Sequence, residues 1–200
     1  MQDNTLLRKA VFFVAIANLL YFIIEFTVAL NIGSVSIFAD SIDFLEDASI
    51  NLLIFFAIGL TAIRGAKIAM VLAAIMLIPG LATLWAVWQQ IIGQQPPAPL
   101  GLSFVGFGAL IVNCGCAFLL AQFRNYSGSL TRAAFLSARN DAAANIAIIF
   151  TGFALITYPS IWPDIIVGLS IAAMNAGASF DVYQAARQEH FLAQKDFMEG

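Results

Sequence analysis

The feature of this sequence that most constrains its fold is a series of six long apolar runs. A helix needs about 20 apolar residues to cross the hydrocarbon core of a bilayer. Within lipid the backbone must satisfy its own hydrogen bonds, which favours helices. The runs therefore predict an all-α membrane protein with six transmembrane helices, near residues 10–31, 35–62, 67–90, 101–122, 132–156 and 163–186.

The composition agrees with this class, because 61 % of the residues are apolar and 10 % are charged. We expect one transmembrane domain over residues 1–187, followed by a cytoplasmic tail, 188–200, that is too short to fold alone. The first run is too long for the apolar part of a signal peptide, so we expect it to remain as a span. The net charge of −3 says little, because most of the acids lie inside apolar segments. We expect neither an enzyme nor a nucleic-acid partner.

Lys and Arg residues are confined to one side of the predicted bundle. The loops NIGSVS, GQQPPAP and TYPSIWPD contain none. The opposite connections and the termini carry Arg8, Lys9, Arg64, Lys67, Arg124, Arg132, Arg187 and Lys195. Because positively charged loops stay in the cytoplasm, we expect both termini there. An aromatic belt at the outer ends of the spans fits this orientation, and it consists of Trp85, Trp88, Tyr158 and Trp162.

Three smaller features of the sequence lead to simple structural expectations. Pro79 and Gly80 interrupt the third span and predict a kink there. Cys114 and Cys116 point about 200° apart on a helix, which disfavours a shared metal site or a disulfide. We expect both cysteines to pack as small apolar side chains, and His190, alone in a polar tail, to be solvated.

Four acidic residues lie close together in the second span, in the stretch ADSIDFLEDA. At about 100° per residue, Asp40, Asp43 and Asp47 share about 60° of arc, whereas Glu46 lies beside this stripe. With a rise of about 1.5 Å per residue, Asp43 and Asp47 lie about 12 and 18 Å from the outer end of the span. A charged side chain at this depth costs at least a few kcal/mol, so these acids need partners or a function.

The fifth span carries a matching acid at the same depth. Asp141 is about nine residues, or roughly 14 Å, from the cytoplasmic end of that span. The segments EDASINLLIFF in span two and NDAAANIAIIF in span five share Asp, Ala, Asn, Ile and Phe in register. Each span therefore offers an Asp with an Asn four residues later on the same face, Asp47 with Asn51 and Asp141 with Asn145.

Carboxylates gathered at one depth repel one another, and a divalent cation or bound protons would relieve that repulsion. The residues thus predict a cation site that exchanges metal for protons. Two plainer interpretations stay open: the acids pair within the protein, or they line a wet crevice. Arg139 lies two residues from Asp141, so we expect it to point away toward the cytoplasmic surface. Glu25 and Asn18 on the first span either line the same cavity or only pack between helices.

The stretch GSVSIFADSIDFLEDASINLL, from Gly33 to Leu53, resembles the second span of the cation diffusion facilitator family. In that family a Ser-rich start and an Ala-Asp pair lead to a His or Asp, three residues, and a second Asp. Asp43 and Asp47 occupy those two ligand positions. The corresponding pattern of the fifth span falls on Ser137 and Asp141.

The resemblance implies a metal site rather than a resident cofactor. Its main ligands would be Asp43, Asp47, Asp141 and Ser137, with Asp40, Glu46 and Asn145 as further candidates. The resemblance also implies export of a divalent transition-metal ion by proton antiport, and a homodimer formed through the transmembrane helices. Asp164, which follows Trp-Pro, is similar to the start of the family's sixth span.

Two departures from the family pattern affect this interpretation. Ser137 stands where the family supplies an imidazole or a carboxylate, so its hydroxyl, Asn145, Glu46 or water would complete the ligand shell. An oxygen-only shell suits Mn²⁺ or Fe²⁺ better than a shell with nitrogen does, although Zn²⁺ and Cd²⁺ also accept carboxylates. The sequence has no His-rich loop between spans four and five and no soluble domain after span six, so we expect a short form of the family.

We therefore expect a multi-pass protein of the cell membrane, or of the inner membrane in a bacterium, that exports divalent metal ions. A second hypothesis is a transport-inactive membrane subunit that pairs with or regulates a complete transporter. The serine at a ligand position and the short tail motivate it. A third is a proton-coupled carrier of small organic cations, which would also use acids within the membrane.

Overall fold

In a computed structural model of the chain, the described residues are 2–57, 67, 70, 81–123 and 129–199. This part of the protein is helical and contains no β-strand. Its helices are α1 Gln2–Ile32, α2 Val35–Ala57, α3 over residues 81–93, α4 Pro99–Ala121, α5 Ser129–Thr157 and α6 Trp162–Glu199. The predicted all-α fold with six helices is confirmed.

The short connection between α1 and α2 is built from residues suited to a tight turn. Gly33 has a φ of +67°, a left-handed conformation that glycine adopts without a steric penalty. The amides of Gly33 and Ser34 both donate to the carbonyl of Ala29, at 2.9 and 3.2 Å, and close the end of α1. Ser34 then accepts a hydrogen bond from Ile37 N at 3.2 Å and caps the start of α2.

Helix α2 lies at the centre of the described bundle, because it contacts α1, α5 and α6 and also touches α4. Two apolar clusters hold these helices together. The first joins all five around Ile37, Leu102 and Ile148. The second joins α1, α2, α4 and α5 nearer their other ends, and Val11 and Leu120 belong to it. Along α2, Asp43, Glu46 and Asp47 lie between the two clusters, and Asp40 lies among the residues of the first.

The outer surface of the bundle is apolar. Large side chains that are more than half exposed there include Phe13, Phe104, Phe118 and Phe150. Among the described residues, three helical segments are long and apolar enough to cross a membrane: Thr5–Ile32, Pro99–Ala121 and Asn140–Thr157. An apolar exterior around buried polar groups is the arrangement that a lipid environment favours.

The helices are longer than several of the predicted spans. Helix α1 begins at Gln2, and α6 continues to Glu199, so residues 188–199 extend the last helix. The end of the second predicted span, the Pro79–Gly80 kink and half of the third predicted span lie outside the described residues.

The four aromatic residues of the predicted belt lie on the surface, as contact with a membrane interface requires. Each is more than half exposed, and they are Trp85, Trp88, Tyr158 and Trp162. The cytoplasmic location of the two termini stays a prediction.

Candidate functional site

A layer of buried polar side chains separates the two apolar clusters, and five helices contribute to it. We call it the polar layer. None of its members is more than 9 % exposed, and they are Asn18 and Glu25 of α1, Asp40, Asp43, Glu46, Asp47 and Asn51 of α2, Asn113 of α4, Asp141 and Asn145 of α5, and Asn175 of α6. The acids predicted from the sequence thus face the interior of the bundle and not the lipid.

The structure brings Asp43 of α2 and Asp141 of α5 together, as the sequence predicts for these two helices. Their carboxyl groups lie within hydrogen-bonding reach of each other. Asp47 and Asp40 also interact electrostatically with Asp141. Two ionised carboxylates at such a distance repel strongly in a low-dielectric interior, so the pair must share a proton or a cation.

Asn175 of α6 holds Asp43 from a third side. With its amide nitrogen turned toward the nearby acceptors, Asn175 Nδ2 donates to Asp43 Oδ1 at 2.9 Å and to the carbonyl of Ile171 at 3.0 Å. The sequence analysis missed this residue. The one feature of the sequence that indicates a role for Asn175 is its position, as an amide in the middle of the otherwise apolar stretch IAAMNAGA.

Asn145 links the acids of α2 to α4 and α5. Its Nδ2 donates to Asp40 Oδ2 at 2.6 Å, and its Oδ1 accepts from Asn113 Nδ2 at 2.9 Å. Both polar atoms of the predicted ligand Asn145 therefore have partners within the protein. Asn113, which the sequence analysis also missed, lies in the apolar run of α4.

The other predicted candidates have different surroundings. Asn51, expected to share a face with Asp47, donates through Nδ2 to the Asp47 carbonyl at 2.8 Å. Glu46 is buried beside the aspartates. Ser137 belongs to α5, but its side chain lies outside the described residues, as do those of Arg139 and His190.

Glu25 and Asn18 share a helix but have different neighbours. The Glu25 carboxyl group lies within hydrogen-bonding reach of Asp40. Asn18 Oδ1 instead accepts from the Cys116 thiol at 3.6 Å. Cys116 is buried and Cys114 is exposed, so the two thiols are free and point apart as expected. Of Asn18 and Glu25, only Glu25 therefore joins the aspartates.

Asp164 forms a second polar centre, at the junction of α2, α3 and α6. It is fully buried and accepts hydrogen bonds from the amides of Val35 and Ser36, at 2.7 and 3.3 Å. The hydroxyls of Ser34 and Ser36 and Nε2 of Gln90 also donate to it. A carboxylate at a helix N-terminus is stabilised by the helix dipole and the free amides. Asp164 thus fixes the start of the helix that carries the acids.

The described part of the polar layer is not a preassembled metal site. Within the described residues, no three His, Cys, Asp or Glu side chains lie close enough together to hold a metal ion. The Asp43–Asp141 pair is in contact, whereas Asp47 is a near neighbour of the pair. A bound ion would have to replace the direct contact between the two carboxyl groups.

A comparison with known protein families assigns the helical bundle to one family. The family described as the cation efflux transmembrane domain matches residues 11–188, which include every member of the polar layer. No curated protein matches the sequence.

Proposed function

The chain belongs to the cation efflux family of metal cation transporters, and from this premise we propose that it exports divalent transition-metal ions by proton antiport. The ion binds within the polar layer, at carboxylates of α2 and α5. Its ligands are Asp43, Asp47 and Asp141, and Ser137 occupies the fourth position.

The observation that most supports this proposal is the contact between Asp43 and Asp141. The two carboxyl groups come from different helices, both are at most 8 % exposed, and neither faces lipid. Intramembrane acids that face a bundle interior mark ion or proton pathways in many membrane proteins. A cation is attracted to such a pair more strongly than to either acid alone.

Proton coupling follows from the same contact. When no metal is bound, a shared proton makes the close approach of the two carboxyl groups tolerable. A metal ion that enters between them needs both groups ionised, so it displaces the proton. When protons enter from the other side of the membrane and bind the carboxylates, they lower the affinity of the site for the ion and assist its release.

The donors of this site are oxygen atoms, which sets the panel of candidate metals. Carboxylates and a hydroxyl suit Mn²⁺ and Fe²⁺, and Zn²⁺ and Cd²⁺ also bind carboxylates. We propose that these four ions include the transported one. The apolar exterior supports a location in the cell membrane, or the inner membrane of a bacterium, with two copies of the chain joined through their transmembrane helices.

Transport in proteoliposomes tests the proposed site. We expect Asp47→Asn and Asp141→Asn each to reduce metal flux about tenfold or more, because each change removes an anionic ligand. Asp181→Asn, which neutralises an exposed acid of α6, is the matched control and should keep the wild-type rate. Undiminished flux in both Asp47→Asn and Asp141→Asn would contradict the proposal.

A transport-inactive subunit is the second candidate function. It is favoured by the lack, within the described residues, of three acids close enough to hold a metal. Such a subunit would move no ion when reconstituted alone and would need a second, different transporter chain for flux. Metal flux by the purified chain by itself excludes this candidate.

A further inference from the structure

Glu25 and Asp40 form a second acidic pair in the polar layer, apart from the Asp43–Asp141 contact. Glu25 belongs to α1 and Asp40 to α2, and both side chains are fully buried. Their carboxyl groups lie within hydrogen-bonding reach of each other. Helix α1 is not one of the two helices that supply the proposed ligands.

This pair lacks the donors that buried carboxylates normally have. No N–H or O–H group of the described residues donates to either oxygen of Glu25 or to Oδ1 of Asp40. The remaining oxygen, Asp40 Oδ2, accepts from Asn145. Buried carboxylates are costly without hydrogen bonds or a counter-charge, so these three oxygen atoms need either a shared proton or a bound cation.

The surroundings of the pair fit a cation. The Tyr21 phenol is close enough to interact electrostatically with both carboxyl groups, and its hydroxyl donates to the carbonyl of Val105 at 2.7 Å. No basic side chain of the described residues interacts with Glu25 or Asp40.

The position of the pair places it on one side of the proposed transport site. Asp40 precedes Asp43 by about 4.5 Å along α2, toward the start of that helix. One turn beyond Glu25, Ala29 lines a cavity of about 360 Å³, and Phe38 lines it two residues before Asp40. The pair thus lies between the Asp43–Asp141 contact and a cavity near the predicted outer ends of the helices.

We propose that Glu25 and Asp40 form a second binding site for the transported divalent ion, which receives it from Asp43, Asp47 and Asp141 before release. This inference rests on the proposed function and adds to it a second binding site on the transport path. Two carboxylates neutralise one divalent ion, and their hard oxygen atoms suit Mn²⁺ or Fe²⁺. The ion supplies the positive charge that the pair lacks.

Counting bound ions tests the second site. Mn²⁺ is titrated into the purified full-length chain by calorimetry at neutral pH, and we expect the wild type to bind two ions per chain. Glu25→Gln keeps the size of the side chain and should bind one, and Asp40→Asn should also bind one. The control Asp181→Asn should bind two, and circular dichroism checks that each variant is folded.

The two proposals fail in different ways. If Glu25→Gln and Asp40→Asn bind as many Mn²⁺ ions as the wild type, the pair holds only a proton and the second site is wrong, whatever the flux through Asp141→Asn. If both variants lose one ion while Asp141→Asn transports at the wild-type rate, the second site stands and the proposed transport site is wrong.

Discussion

At the scale of single residues, the buried acids are explained by their contacts with one another. Asp43 of α2 meets Asp141 of α5, and Asp40 of α2 meets Glu25 of α1. The amides of Asn145 and Asn175 donate to Asp40 and Asp43 and fix the positions of these carboxyl groups. In the proposed mechanism each pair holds either protons or a metal ion, and this choice is the chemical basis of the exchange.

Metal affinity should depend on pH because protons and metal ions compete for the same carboxylates. Binding a metal ion releases the proton that Asp43 and Asp141 share, so affinity is high at neutral pH and falls as the pH falls. We expect the dissociation constant to rise by about tenfold for each pH unit and each proton released. Calorimetry at several pH values measures this, and equal affinity in acid and at neutral pH would contradict the exchange.

Much of this residue-level arrangement could be predicted from the sequence. Helix rise and periodicity place Asp43, Asp47 and Asp141 at one depth, because both quantities are fixed by backbone geometry. The contacts of Asn113 and Asn175 could not be predicted in this way. A single amide in an apolar run indicates that its side chain faces a hydrogen-bonding partner. Which partner it meets depends on the rotation of each helix about its axis, and packing sets that rotation.

At the scale of helices, the acidic helix α2 is held by Asp164, which lies in the first turn of α6. Asp164 accepts hydrogen bonds from the first turn of α2 and from Gln90 of α3. Glycine at position 168 permits this close approach, since a Cβ there would lie 2.7 Å from the carbonyl carbon of Val35. The sequence resemblance singled out Asp164 but gave no role for it, because its donors come from distant parts of the chain.

Asp164→Asn tests this junction. An amide nitrogen would replace one of the two carboxylate oxygens and turn its N–H groups toward the donors of that oxygen, so charged hydrogen bonds are lost and some donors stay unpaired. We expect a loss of about 1.5–3 kcal/mol in stability, seen as a lower midpoint of thermal unfolding in detergent. Asp181→Asn should keep the wild-type midpoint. An unchanged midpoint for Asp164→Asn would show that the junction contributes little.

At the scale of the whole molecule, the polar layer lies between two apolar clusters and inside an apolar exterior. The clusters pack the ends of the helices, so the acids are confined to a narrow zone within the bundle. Acidic residues are tolerated there because they face the interior of the bundle and not lipid, and because the amides of Asn145 and Asn175 donate to two of them. The number of helices and their apolar character were predictable from the six runs, whereas the way the helices surround α2 was not.

The proposed homodimer is also a property of the whole molecule. The large exposed apolar side chains of α1 and α4 offer a surface for a second copy as well as for lipid. We expect native mass spectrometry of the chain released from detergent to show two copies per particle. A single copy under conditions that preserve transport would contradict the dimer.

The most direct test of the shared site is the coupling between Asp43 and Asp141 in metal binding. Metal affinity is measured by calorimetry for the wild type, Asp43→Asn, Asp141→Asn and the double variant. If both carboxylates hold one ion, each single change loses most of the affinity, and the double variant loses much less than the sum of the two. Losses that add, or no loss in either single variant, would show that the two acids do not bind a common ion.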